Sequence, residues 1–196
     1  MPAEVLFYFL KNTDQTLRLK FQIILQCAPF LKGLKVSCVI SMEEILYEGL
    51  EEIFCKTDIL YRKLYSINGK CLVLFYRYGE LAEYTGRYEV RKLLEEQGYP
   101  CGDFAERIDY LCQRVQIFSE QGRGFPHEIG LFLGYPLEDV KGFIENEGQS
   151  YLMIGYWKVY GNLSQAKMIF HAYDCAKDRA VNEFLTGKSI REIAQY

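Results

Sequence analysis

The first quarter of the chain combines a helical pattern with an alternating one. Between residues 13 and 31 apolar side chains recur every three or four positions, the spacing of a helix that packs one face. They are Leu17, Phe21, Ile24, Cys27 and Leu31. Pro29 interrupts this helix near its end. LKVSCVI (34–40) is alternating and β-branched, which predicts a strand. Ser41, followed three residues later by Glu44, predicts a capping box that opens another helix.

The middle of the chain predicts a buried strand and two helices. KCLVLFYR (70–77) is a short apolar run with a glycine on either side, and it is the clearest strand in the sequence. One helix is expected to follow and to reach about Gln97, where a glycine and a proline end it. Asp103, with Glu106 three residues later, is a capping signal for the second helix.

The last third predicts two short helices, a strand and a long helix. Pro126 suits the first position of a short helix that Gly134 ends, and Pro136 starts the next one. YLMIGYWKVY (151–160) alternates well enough to predict a third strand. An amphipathic helix is expected from Ser164 onward.

These patterns together predict an α/β or α+β fold with a small sheet of about three strands covered by several helices. The elements are mixed along the chain, without a repeat or a linker rich in proline and serine. We therefore expect a single domain over residues 1–196, and a division near residues 98–102 is the alternative.

Charge and hydropathy exclude two classes of partner. The net charge is −3 and acids and bases are interspersed, so there is no basic face for nucleic acid or an anionic membrane. GKSIREIAQ (187–195) resembles the first half of a helix-turn-helix, but the chain ends where a recognition helix would begin. No run of about 18 apolar residues is present, so no membrane span is expected. The expected partner is a small molecule or another protein.

Cysteine usage indicates a reducing compartment. The seven cysteines are an odd number and form no CxxC pair. The N-terminal sequence MPAEVLFYFLKNTDQ has no basic region, and its apolar run is too short for a signal peptide. We therefore expect reduced thiols and a cytoplasmic location.

The chain contains 16 tyrosines and 13 phenylalanines, and the segment 125–160 combines aromatic residues with chemically active ones. His127 and Glu128 fall at the start of a predicted helix, where an imidazole could serve as a general base or a metal ligand. A zincin would need a second histidine at position 131, which is Leu131. The alternative is an ordinary helix start, in which Glu128 compensates the helix dipole.

Two neighbouring stretches could bind a ligand. GRGFP (122–126) places Arg123 before a helix start, as in anion sites, but a proline removes one N–H donor and a plain loop is the alternative. On a strand, Tyr156, Lys158 and Tyr160 would share one face, where a lysine between two rings could bind an anionic or planar ligand. The alternative is a solvated strand with the lysine stem across the rings. No GxGxxG or GxxxxGK[ST] motif is present, so the cofactor stays unassigned.

Two further groups of residues have the types and spacing of a reactive site. His171, Asp174, Cys175 and Asp178 lie at i, i+3, i+4 and i+7 of the last long helix, which could hold a transition metal but is also typical of a solvated helix face. Cys101, with His127 and Asp139 downstream, has the chain order of a papain-like triad. The residues around Cys101 match no cysteine-protease signature, and Asp139 also suits the first turn of a helix.

One long motif resembles a known family. HEIGLFLGYPLEDVKGFI (127–144) followed by GYWKVYG (155–161), with CAPFLKGLK, CLVLFYR and LSQAKMIFHAYDCAK, is similar to the bacterial domain of unknown function numbered 3793. The resemblance covers nearly the whole chain and implies a source among anaerobic Gram-positive bacteria. It also implies an association with redox or metal physiology, through neighbouring flavodoxin-like or iron-handling genes. It brings no catalytic residues.

The sequence thus leaves two functional hypotheses. The first is an accessory protein that holds a small ligand or a partner with the residues Arg123, His127, Tyr135, Tyr156, Lys158 and Tyr160. The alternative is a small thiol- or histidine-dependent enzyme, hydrolase-like, centred on His127 and Glu128 or using Cys101. A pocket lined by His127, Lys158 and a tyrosine would favour a site in this region, whereas a sealed His127 would exclude the enzyme.

Overall fold

The computed structural model describes residue 9 and residues 11–194, and within them nine helices and five strands alternate irregularly. In chain order these are α1 (Gln15–Leu31), β1 (Ser37–Glu43), a 3-10 turn (Glu44–Leu46), α2 (Leu50–Phe54), β2 (Ile59–Ile67), β3 (Lys70–Arg77), α3 (Tyr78–Gly86), α4 (Tyr88–Glu96), α5 (Phe104–Glu120), α6 (Ile129–Phe132), α7 (Leu137–Glu145), β4 (Met153–Ile154), β5 (Lys158–Val159), α8 (Leu163–Leu185) and α9 (Ile190–Ile193). Most of the N-terminal stretch assessed for a signal peptide lies outside the described residues.

The main sheet is a three-stranded antiparallel sheet in which β3 lies between β1 and β2. Because successive side chains of a strand point to opposite faces, β3 serves two cores. Cys71, Val73 and Phe75 pack with α1, α8 and α9, whereas Leu72 and Leu74 pack with the helices α3 to α7. The fold is therefore α+β, with helices covering both faces of a small sheet.

The predicted helices are largely confirmed. α1 and α8 follow the predicted stripes, and α5 begins directly after Asp103, whose side chain accepts a hydrogen bond from the backbone N–H of Glu106. The helix expected from residue 78 to Gln97 is instead two helices, because Arg87 between them adopts an extended conformation. The first helical position predicted for the two prolines is wrong: Pro136 lies directly before α7, which begins at Leu137, and Pro126 lies three residues before α6 begins at Ile129.

The capping box predicted at Ser41 is wrong. Ser41 lies within β1 opposite Leu72, so its backbone belongs to the strand ladder rather than to a helix start. The carboxylate of Glu44 accepts hydrogen bonds from Lys63 and Ser66 of β2 instead. Tertiary strand pairing here overrides a local helix signal.

The strand predicted over 151–160 is also wrong as a third strand of the sheet. It forms a separate hairpin of two short strands, β4 and β5, joined by a turn in which the N–H of Gly155 donates to the carbonyl of Trp157. A Cβ at Gly155 would overlap the ring of Phe170, so this glycine permits the turn to lie against α8. The third strand of the main sheet is β2, which the sequence did not identify.

Polar contacts join α1 to the end of β3 and to α8. Arg77, 4% exposed at the end of β3, donates to the carbonyls of Phe30 and Ala194, and its Nε lies 3.1 Å from both carboxylate oxygens of Asp58. On the other side of α1, Lys32 Nζ lies 2.8 Å from Glu183 Oε2 of α8.

We expect Glu183→Gln to lower stability in a pH-dependent way. The hydrogen bond from Lys32, with its charge, lowers the pKa of Glu183 below the ordinary value. A carboxyl with a lowered folded-state pKa stabilises the fold above its unfolded pKa, and that stability is lost as the pH falls through the folded value. Chemical denaturation should therefore show a loss of about 1 kcal/mol at neutral pH that vanishes on acidification.

Glu96→Gln is the matched control, because Glu96 is exposed and has no ion pair within the described residues. It should stay within about 0.5 kcal/mol of the wild type at every pH. If the free energies of unfolding of Glu183→Gln and the wild type differ by the same amount down to strongly acidic pH, the stabilising role given to the Lys32–Glu183 pair is contradicted.

Candidate functional site

A cavity of about 370 Å³ opens between the loop before α6, α7 and the β4–β5 hairpin. Its wall is mainly aromatic and aliphatic. The aromatic members are Phe125, Tyr135, Phe143 and Trp157. Phe125 is 48% exposed, whereas Trp157 is only 7% exposed, so the cavity runs from a solvent-facing rim to a buried indole.

The carboxylate of Asp139 holds the hairpin against α7. Asp139 is 3% exposed and accepts hydrogen bonds from Trp157 Nε1 at 2.6 Å, from the N–H of Tyr160 at 2.7 Å and from the N–H of Gly161 at 2.8 Å. A buried carboxylate needs such donors, because leaving it unpaired in the interior costs several kcal/mol. Both oxygens are occupied, so this acid is part of the cavity's framework.

The indole of Trp157 is fixed from two sides. It stacks on Tyr135 with ring centroids 5.2 Å apart and meets the ring of Phe170 edge-on at 4.5 Å. The backbone of α7 also approaches the hairpin closely, since a Cβ at Gly142 would lie 2.5 Å from the Tyr160 side chain. The cavity is therefore walled by rings whose positions are set by packing and by Asp139 together.

The two cationic side chains of the cavity, Arg123 and Lys158, have no ion-pair partner among the described residues. Lys158 Nζ donates to the carbonyl of Gly148 at 2.7 Å and lies 4.9 Å from the ring of Tyr151. Arg123 lies 4.9 Å from the ring centroid of Phe118 and donates to Gln121 Oε1. These contacts hold both cations in place without neutralising them.

The family follows from comparison with known proteins. A family model described as a protein of unknown function (DUF3793) matches residues 23–194. The chain belongs to the DUF3793 family. No curated protein and no solved structure matches it. The motif that carries the family resemblance forms α6, α7 and the hairpin, so in this DUF3793 member it builds most of the cavity.

His127 and Glu128, adjacent in this DUF3793 sequence, face opposite environments. His127 is exposed, lines the cavity and meets Phe143 edge-on at 4.9 Å. Glu128 is 1% exposed and points into the core, where it accepts hydrogen bonds from Arg114 at 2.6 Å and Tyr99 at 3.1 Å. Burial, followed by the charge of Glu128, raises the pKa of Tyr99. The expected cooperation of His127 with Glu128 is therefore not present in the structure.

The structure brings four of the six predicted ligand-binding residues to one cavity. Arg123, His127, Tyr135 and Lys158 line it. Tyr156 instead donates to Asp174 at 2.8 Å on the far side of the hairpin, and burial together with this bond raises its pKa to about 12. Tyr160 packs against Gly142 of α7 rather than lining the cavity.

The two other predicted sites are not assembled. His171 lies 3.7 Å from Cys175 Sγ, but Asp174 is engaged by Tyr156, and the described residues contain no group of three or more histidine, cysteine or acidic side chains placed for a metal ion. Cys101 is exposed and does not line the cavity, while Asp139 is bound to the hairpin rather than to His127. The seven cysteines, all within the described residues, are free.

Sequence reasoning missed Asp139 and Trp157 as the residues that build the cavity. By its position in the sequence Asp139 suits the first turn of a helix, and nothing in the strand pattern marks Trp157 as its partner. One feature of the sequence could have indicated the pair. Asp139 is an acid at a helix start, and Trp157 follows it with an indole N–H that needs an acceptor when it is buried.

We expect Asp139→Asn to destabilise the protein and to loosen Trp157. If the amide oxygen of the new asparagine accepts the two backbone N–H groups, its NH₂ group lies opposite the indole N–H of Trp157. Both groups are then donors, so the hydrogen bond to the indole is lost. The expected loss is about 2 kcal/mol in chemical denaturation, with a shift in Trp157 fluorescence. Glu138→Gln is the control, because Glu138 is exposed and, among the described residues, accepts a single long hydrogen bond, 3.3 Å, from the N–H of Asn162. Equal effects of the two substitutions would contradict the role given to Asp139.

Proposed function

We propose that this protein binds a small planar molecule in the cavity beside Trp157. The observation that carries the proposal is the concentration of four aromatic side chains around one opening of about 370 Å³. This volume lies within the range of roughly 300–1,000 Å³ typical of small-molecule sites. A protein partner fits less well, because a specific interface buries about 800 Å² on each side, far more than one small cavity presents.

The polar groups of the cavity support binding rather than chemistry. Burial raises the pKa of Tyr135 to about 12, so its phenol stays un-ionised at neutral pH and does not act as a base. The carboxylate of Asp139 is occupied by its three donors. What remains for a ligand are ring faces, apolar surface, the imidazole of His127 and the two cations Arg123 and Lys158.

The alternative of a histidine- or thiol-dependent enzyme has less support. A general base is normally oriented by a second group that accepts its other N–H. Within the described residues no carboxylate accepts a hydrogen bond from the His127 ring. The ring instead contacts that of Phe143 edge-on. Cys101 lies outside the cavity wall.

Trp157 makes the proposal directly testable, because it is the single tryptophan of the chain and lines the cavity. We expect that, in a set of anionic, neutral and cationic planar aromatic fragments, some will change Trp157 fluorescence, and that the change will saturate as the fragment concentration rises. Phe125→Ala removes one ring from the rim and should weaken those members roughly threefold to tenfold. Because Phe125 is half-exposed, this substitution should leave folding intact.

Tyr88→Ala is the matched control, since Tyr88 is 71% exposed on α4 and does not line this cavity. It should leave affinity unchanged. The proposal fails if no fragment class alters Trp157 fluorescence at millimolar concentration. It also fails if Phe125→Ala and Tyr88→Ala weaken binding equally.

A further inference from the structure

The charge balance of the cavity narrows the kind of molecule it would take. Its charged groups are one acid and two bases, with His127 as a third nitrogen base. The acid, Asp139, already accepts three hydrogen bonds and is buried behind the indole. The positive charges of Arg123 and Lys158 have no such compensation within the described chain.

Arg123 and Lys158 differ from the ion-paired cations of this protein, because neither forms a salt bridge among the described residues. Lys32, Lys63 and Arg114 each lie within 2.8 Å of a carboxylate oxygen. The partners of Lys158 and Arg123 are a carbonyl, an amide oxygen and aromatic rings. Such partners orient a cation and restrict its rotamers but leave its full charge, so an incoming anion would meet a positioned group.

The surroundings of Lys158 bring its charge to the aromatic wall. Its ammonium lies 5.5 Å from the ring centroid of Phe143 and 4.9 Å from that of Tyr151, and it is tied to Gly148. Phe143 is also a wall of the cavity. A flat ring bound beside Phe143 would therefore lie close to this cation.

We infer that the ligand is an aromatic anion, a flat ring system of one or two rings carrying a carboxylate or a similar acidic group. This inference rests on the proposed function and adds the charge of the ligand to it. The ring packs among Phe125, Phe143 and Trp157, and the acidic group meets Arg123 and Lys158 at the opening. The apolar wall beside the cations lowers the local dielectric and so strengthens their attraction for the anion.

The test uses two probes of the same shape and different charge, naphthalene-2-carboxylate and naphthalene-2-carboxamide. Calorimetric titration of the full chain at low salt should give roughly tenfold tighter binding of the carboxylate, because charge-assisted hydrogen bonds are stronger than neutral ones. Trp157 fluorescence should report both probes at the same site. The carboxylate's advantage should shrink as salt is added.

Three substitutions assign the charge effect to the cavity. Arg123→Gln and Lys158→Gln should each reduce the carboxylate's advantage about threefold or more and leave carboxamide affinity unchanged. Glutamine at 158 keeps a donor for Gly148. Arg179→Gln is the control, since it removes the same charge from an exposed site on α8 outside the cavity and should change neither affinity.

The possible failures are distinguishable. If the carboxamide binds at the Trp157 site as tightly as the carboxylate, the charge inference is overturned while the proposed function stands. The charge inference is likewise overturned if Arg179→Gln reduces the carboxylate's advantage as much as Arg123→Gln does. The preference would then depend on the net charge of the whole protein and not on the cavity. If neither probe binds, both the inference and the proposed cavity lose their support.

Discussion

The buried carboxylate of Asp139 is the constraint on which the site depends. It lies in the first turn of α7 and accepts the indole N–H of Trp157 and two successive backbone N–H groups of the hairpin. None of these donors carries a charge, so three neutral hydrogen bonds, with the N-terminal dipole of α7, offset the cost of burying the carboxylate. That geometry sets the distance between α7 and the hairpin, and the cavity is the space that results.

The rest of the fold supplies a rigid base for this arrangement. The central strand β3 presents alternate residues to two cores, one of which includes Leu131, Phe132 and Val140 of α6 and α7. A third cluster joins Trp157 and Val159 of the hairpin to Phe170 and Tyr173 of α8. The cavity therefore lies where these two clusters meet, near Tyr135, which packs against both. Sites supported from several elements hold their geometry better than sites on a single loop.

The sequence predicted elements well where one periodicity dominated, as in α1, α5, α8 and β3. It failed where tertiary pairing decides the outcome. Edge strand β2 (Ile59–Ile67) has mostly part-exposed or exposed positions and so lacks a clear apolar signal, and Ser41 is drawn into a strand by its pairing with Leu72. The alternation expected along a strand through residues 156–160 fails, since Lys158 lines the cavity together with Trp157, whereas Tyr156 and Tyr160 do not. What no spacing rule could supply was the inward rotation of Glu128 toward Arg114 and the capture of Trp157 by Asp139.

A crystal structure of the protein with naphthalene-2-carboxylate tests the central claim most directly. The account predicts ring density against Trp157 and Phe143, with carboxylate oxygens within hydrogen-bond distance of Arg123 or Lys158 and the bonds of Asp139 to the hairpin unchanged. Probe density at another surface, or a cavity closed by the protein's own side chains while the probe is bound elsewhere, would contradict it.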